Sequence, residues 1–187
     1  MSNLNGSIHT MQADEIELAS YVRCVPDFPK TGIQFQDISP LLASPLAFRT
    51  SIEKMSIIAR DLSFSHIVGI DSRGFIFGAA LAIHMNKPFV MMRKPNKLPL
   101  ASHSQIYDLE YGQDALEIQE TVVPKTAEVL LLDDVIATGG TLVAAAKLIR
   151  QLDANVVGAM TLLEIKALKG SNQLQSNDIK YFSVLSV

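Results

Sequence analysis

Tryptophan is absent from the 187 residues, and cysteine occurs once, at Cys24. One cysteine excludes any disulfide within the chain and points to a reducing, cytoplasmic setting. No apolar run approaches the roughly 18 residues that a membrane span requires. The first twenty residues carry Asp14, Glu15 and Glu17 and lack the basic-then-apolar order of an export signal. Charge of one sign is also scarce. Sixteen basic and nineteen acidic residues leave a net charge of −3. That balance argues against a general nucleic-acid binder and leaves room for a local basic patch only. No repeat or low-complexity tract stands out. The four histidines, His9, His66, His84 and His103, show no metal-ligand spacing.

What is present is the material of a core. Hydrophobic residues make up 48% of the chain and charged residues 19%, a globular rather than a disordered composition. The length favours one domain, taken here as residues 13–187, behind a polar tail over residues 1–12. Ile16, Ala19 and Val22 can share one helical face within 13–24. Pro26 to Gly32 breaks regular structure. Ser44-Pro45 is a helix start, a capping residue with proline at the first position; that helix is expected to reach about Leu62. His66–Ile70 and Pro88–Met92 read as buried strands, with a helix from Phe75 to about Met85 between them. Residues 93–110 read as a long polar loop, the kind that usually carries function, and Ala115–Gln119 as an edge strand. Glu128–Leu132, Val156–Leu163 and Tyr181–Leu185 complete the strands. A helix with Leu142, Ala145, Ala146 and Ile149 inward follows the first of these. Alternation of strand and helix predicts an α/β fold, a central mostly parallel sheet flanked by helices. Ligands on such sheets lie beyond the carboxyl ends of the strands.

Three segments then carry chemistry. In Val129-Leu130-Leu131-Leu132-Asp133-Asp134-Val135-Ile136-Ala137-Thr138-Gly139-Gly140-Thr141, a strand runs into a glycine turn and a helix. Its glycines bring backbone close to an anion, and amides of Thr138, Gly139, Gly140 and Thr141 sit at the positive end of the helix dipole, so Ala137–Thr141 reads as a monophosphate cradle. The spacing matches neither a triphosphate loop nor a dinucleotide fingerprint. Asp133 and Asp134 repel phosphate and suit a ribose diol; one of them meets the sugar and the other braces the turn. A second strand–turn–helix, Gly69-Ile70-Asp71-Ser72-Arg73-Gly74, offers an Arg73 fork matched to pyrophosphate. Third, Arg93, Lys94 and Lys97 gather in the long loop, followed by Tyr107-Asp108-Leu109-Glu110-Tyr111-Gly112.

These segments resemble the type I phosphoribosyltransferases and, within them, the adenine-specific branch. The acidic pair followed by Thr138-Gly139-Gly140-Thr141 is similar to the family's sugar-phosphate signature. Asp71-Ser72-Arg73 resembles its pyrophosphate loop, where a cis peptide between Asp71 and Ser72 is implied. Phe28 to Ile38 resembles its base-binding hood. The resemblance implies a hood over about 24–42 and a lid over about 93–112. It implies adenine contacts at Gln34, Phe35, Gln36 and Ile165, pyrophosphate contacts at Asp71, Ser72, Arg73, Arg93, Lys94 and Lys97, a proton-handling Glu110 and a lid residue Tyr111. Further implications are Mg²⁺ held mainly through the substrate, a homodimer, and transfer of phosphoribosyl from phosphoribosyl pyrophosphate to adenine, yielding AMP and pyrophosphate. Thr31, Gln36 and Asn96 depart from the usual pattern, and Asn96 tolerates the left-handed geometry of the glycine it replaces. Two other readings stand beside this one. The same chemistry on hypoxanthine, guanine or xanthine keeps the phosphate sites. A ligand-sensing regulator of the same fold calls for a DNA-binding extension or a basic surface, and neither is evident.

Overall fold

A computed structural model describes residues 16–100, 102–108 and 113–187. The tail over residues 1–12 falls outside them, as do Glu110 and Tyr111. The chain divides into two units, Met1–Glu53 and Lys54–Val187.

In the first unit a single 3-10 turn, Leu18–Tyr21, leads into strand β1 (Arg23–Pro26). The helix expected over 13–24 is therefore not formed across its described part. A helix nucleus is costly, and the backbone of 23–26 is satisfied instead by antiparallel pairing with β2 (Gln34–Asp37). Asp27 and Gly32 shape the intervening turn. Asp27 Oδ1 accepts the Gly32 N–H at 2.7 Å, and Gly32 lies at φ +89°, where glycine is at ease. Phe28 meets Phe35 edge-on with ring centres 5.0 Å apart. Asp37 then ties ribbon to helix, accepting from Arg23 at 2.6 Å and from the Ser39 N–H at 2.9 Å. Hydrogen bonds from Ser39 and Arg23 hold its carboxyl down, at about 2. Helix α1 spans Ser39–Ala43. Helix α2 (Pro45–Ala59) starts where predicted. Ser44 Oγ caps it by accepting the Ala47 N–H at 3.2 Å. Ile52, Met55 and Ala59 are buried, whereas Leu62 lies in the turn beyond the helix end.

The second unit is the expected parallel sheet. Its strands are β3 (His66–Ile70), β4 (Phe89–Met92), β7 (Glu128–Ile136), β8 (Asn155–Glu164) and β9 (Tyr181–Ser186), in the spatial order β4-β3-β7-β8-β9. All neighbours are parallel. Helix α3 (Gly74–Met85) joins β3 to β4, α4 (Gly140–Gln151) joins β7 to β8, and α5 (Gly170–Gln175) precedes β9. Val129 to Leu132 are fully buried, and so are Ala145, Ala146 and Ile149 on α4. At about 1.5–3 kcal/mol for each large apolar side chain, these residues anchor the unit.

Residues 93–110 are not irregular throughout. Ser102–Asp108 is strand β5, paired in an antiparallel hairpin with β6 (Gln113–Gln119). The edge strand expected at Ala115–Gln119 is thus half of that hairpin. The alternation that marks β5 is hidden because its less exposed positions are His103, Gln105 and Tyr107, while Ile106 faces out. A reciprocal bridge between Arg93 and Glu117, at 2.8 and 2.7 Å, ties the hairpin to the end of β4.

Candidate active site

From β3 the chain travels outward to β4, then returns to β7 and continues in the opposite direction to β8 and β9. The order therefore reverses between β3 and β7, and a crevice opens beyond their carboxyl ends. A cleft of about 360 Å³ lies there. Asp71, Ser72 and Arg73 from the turn after β3 line it, with Lys94, Asp133, Asp134 and residues 135–142. Two of the three segments singled out in the sequence thus share one cleft, and one loop cation joins them.

Ala137, Thr138 and Gly139 connect β7 to α4. Gly139 adopts φ +89°, and no side chain caps the helix start. The first amides of α4 are therefore available to an anion, at the positive end of a twelve-residue helix. A second glycine shapes this loop from behind. A Cβ on Gly170 would sit 2.3 Å from the Ala137 carbonyl oxygen and 3.0 Å from the Gly139 nitrogen. Sequence reasoning missed Gly170. Its only signal is its place in a turn soon after a strand end.

The acidic pair divides its work. Asp133 Oδ1 accepts the Asp134 N–H at 2.9 Å and lies 3.1 Å from the Cβ position of Gly74. Burial, and then the neighbouring Asp134 charge, push the Asp133 carboxyl well above its ordinary range. Asp134 is buried, at 4% exposure, and its Oδ2 accepts from Arg73 Nε at 2.5 Å. Arg73 thereby links the turn after β3 to the end of β7.

The Asp71–Ser72 peptide is cis. Asp71 Oδ2 accepts from Arg93 Nε at 2.9 Å and from the Lys94 N–H at 3.3 Å, with Lys97 Nζ 3.7 Å away. Burial opposes ionisation of Asp71, but the Arg93 and Lys94 hydrogen bonds and the nearby cations outweigh it and hold the carboxyl below its usual value. Arg93 and Lys97 are thus gathered at Asp71, and of the three loop cations Lys94 is the one that lines the cleft. Asn96 stands at φ +64°. Ile165 follows β8, half-buried, and its N–H donates to the Ile136 carbonyl at 3.0 Å. Gln34, Phe35 and Gln36 form β2 of the first unit, where the Gln34 amide oxygen accepts from the Cys24 thiol at 3.2 Å. Glu110 and Tyr111 lie outside the described residues.

Comparison with known proteins places these features in one family. The family model described as "Phosphoribosyl transferase domain" matches residues 37–186. The chain is 58% identical over 170 residues to the adenine phosphoribosyltransferase of Polynucleobacter asymbioticus, covering 91% of this chain and 99% of the relative. It is similar to the crystal structure of the adenine phosphoribosyltransferase of Thermoanaerobacter pseudethanolicus, with a TM-score of 0.88 and 39% identity, covering 94% of this chain and all of the other. A Saccharomyces cerevisiae adenine phosphoribosyltransferase, solved with an imino-altritol bisphosphate and adenine, gives a TM-score of 0.85 at 36% identity, covering 92% and 98% of the two chains.

Proposed function

We propose that this chain, which belongs to the phosphoribosyltransferase family and to its adenine-specific branch, transfers phosphoribosyl from phosphoribosyl pyrophosphate to adenine, releasing AMP and pyrophosphate. The observation that carries this reading is one cleft holding an uncapped helix start, an acidic pair and a cationic turn at the strand-order reversal. In it the 5′-phosphate docks on residues 137–141, and Asp133 and Asp134 face the ribose hydroxyls. Arg73 and Lys94, with Arg93 and Lys97 released from Asp71, meet the pyrophosphate.

As the bond from C1′ to pyrophosphate breaks, its electron pair leaves with pyrophosphate and C1′ gains cationic character. Fixed cations stabilise the departing charge. N9 of the adenine tautomer protonated at N7 forms the new bond to C1′, and Glu110 takes the N7 proton as general base, returning it as general acid in the reverse direction. Adenine is read by the backbone at Gln34 and Gln36, on either side of Phe35 in β2; Ile165, in the second unit, offers an apolar side chain suited to a purine ring. In support, β2 has one strand partner within its two-stranded ribbon. Alternate amide and carbonyl groups on its other edge are therefore not used by the ribbon. The connection between β5 and β6, which carries Glu110 and Tyr111, serves as the lid that keeps water from the sugar cation.

The cleft donors are hard oxygens, the carboxylates of Asp133 and Asp134 and the hydroxyls of Thr138 and Thr141, a set suited to Mg²⁺. Among the described residues no group of three or more His, Cys, Asp or Glu is gathered for a metal. Mg²⁺ prefers phosphate oxygens and water, so it would be held mainly through substrate beside Asp133 and Asp134, and when bound it would neutralise pyrophosphate charge. The enzyme acts as a cytoplasmic homodimer. Ile76 and Ile83, seven residues apart on one face of α3, are 39% and 84% exposed, an apolar stripe suited to a second copy. Among the described residues no helix is long and apolar enough to cross a membrane.

The test is adenine-dependent release of pyrophosphate from phosphoribosyl pyrophosphate. Turnover that is lost in Glu110→Gln supports the reading. No release from the native chain overturns it. A monomeric mass in solution for the fully active protein would remove the dimer.

A further inference from the structure

We propose that Tyr107 and Asp114 are positioning residues that hold the Lys94 ammonium at the pyrophosphate end of the cleft. The proposal rests on the transferase reading of that cleft. Lys94 lines the cleft with Asp71, Ser72 and Arg73, yet its side-chain partners come from elsewhere. Lys94 Nζ donates to Tyr107 Oη at 2.8 Å and makes an ion pair with Asp114 Oδ2. It also stands 5.4 Å from the centre of the Tyr107 ring. Tyr107 and Asp114 face each other across one rung of the β5–β6 hairpin, and Tyr107 Oη in turn donates to Asp114 Oδ2 at 3.3 Å. One rung thus supplies both partners.

An exposed ion pair would carry little weight. Here the side chains of Lys94 and Asp114 are 30% and 27% exposed, Tyr107 is buried at 9%, and three contacts converge on one nitrogen. Burial works against the Lys94 charge, but the Asp114 and Tyr107 hydrogen bonds outweigh it and raise its pKa. The ammonium has three donors. Two are fixed by the rung, which leaves one for a phosphate oxygen. A free lysine side chain loses rotamer freedom on being fixed, and the rung imposes that cost before substrate arrives. Six residues separate Tyr107 from Asp114 in the sequence, Glu110 and Tyr111 among them. The clamp therefore ties the root of that connection to a pyrophosphate cation.

The experiment titrates magnesium pyrophosphate into the full-length native protein and into Tyr107→Phe and Asp114→Ala, with thermal melting to verify folding. Asp114→Asn, which keeps an acceptor oxygen, is the conservative control. The same three changes are read in a Lys94→Met background, and adenine KM is measured on every preparation. The proposal expects pyrophosphate Kd to rise about three- to tenfold in Tyr107→Phe and Asp114→Ala, as for one lost hydrogen bond of ordinary net strength. It expects partial recovery in Asp114→Asn, no further rise once Lys94 is gone, and adenine KM unchanged. An unchanged or tighter Kd, or equal weakening without Lys94, overturns the positioning role while adenine turnover by the same samples leaves the transferase reading standing. A native protein that neither binds pyrophosphate nor consumes adenine overturns both.

Discussion

Replacing Gly170 by alanine probes the proposed phosphate cradle from behind, at a residue that is given no substrate contact of its own. The added Cβ would lie 2.3 Å from the Ala137 carbonyl oxygen and 2.7 Å from Ile136 Cγ1. Ordinary contact needs more than 3.4 Å from the oxygen, so loop or helix must move by roughly 1 Å. Gly170 is not among the positive-φ glycines, so the effect is steric and not a backbone penalty. Overpacking of this kind costs about 1–3 kcal/mol of stability. Its larger consequence falls on catalysis, since a displacement near 1 Å at a positioning element can cost about a hundredfold in rate. We expect kcat/KM for phosphoribosyl pyrophosphate to fall between about ten- and a hundredfold, while KM for adenine changes little. Steady-state kinetics with each substrate varied in turn, on protein whose circular dichroism matches the native chain, reads the split. Native kinetics towards phosphoribosyl pyrophosphate in Gly170→Ala would refute the role assigned to the loop.

Two pH-linked predictions follow from the carboxylates. Burial and the Asp134 charge raise the native pKa of Asp133, so ionising it destabilises the fold, and this cost grows as pH rises from about 4. Asp133→Asn keeps the oxygen that accepts the Asp134 N–H; it should melt higher than the native chain at neutral pH, converge with it near pH 4, and lose turnover. A lower melting point at neutral pH would contradict this. For Asp37 the sign is opposite: its pKa is lowered to about 2, so its support of the ribbon is complete above the unfolded value of about 4 and is lost as pH falls through about 2. Amide exchange in β1 and β2 should be faster in Asp37→Ala than in the native chain at neutral pH and equal below pH 2, and a difference that persists there would overturn the reading.

Much of this architecture is legible in the residues. The buried run His66–Ile70 and the stretch from Glu128 name the two strands that frame the cleft, because a strand covered on both faces reads as continuous apolar sequence. Asp133 to Thr141 announces its own turn, because few residue types fit a left-handed helix entry. Three features were not legible. The β5–β6 hairpin hides because β5 turns the polar His103 and Gln105 inward, while the apolar inward positions Leu116 and Ile118 belong to β6. The short turn at Leu18–Tyr21 mimics a helix because local periodicity does not reveal the partner strand twelve or so residues on. The clamp on Lys94 depends on Tyr107 and Asp114, which are thirteen and twenty residues away and meet only through the hairpin register.

The central claim is tested most directly by supplying one base at a time. Purified protein with Mg²⁺ and phosphoribosyl pyrophosphate is given adenine, hypoxanthine, guanine or xanthine, and nucleotide and pyrophosphate are followed together. A backbone edge that donates to adenine N1 and accepts from its amino group leaves unpaired groups against a 6-oxo purine, at about 1–3 kcal/mol each. The account predicts AMP and pyrophosphate in equal amounts from adenine, and no nucleotide from the other three. Turnover of a 6-oxo purine at a comparable rate, or none with adenine, would contradict it.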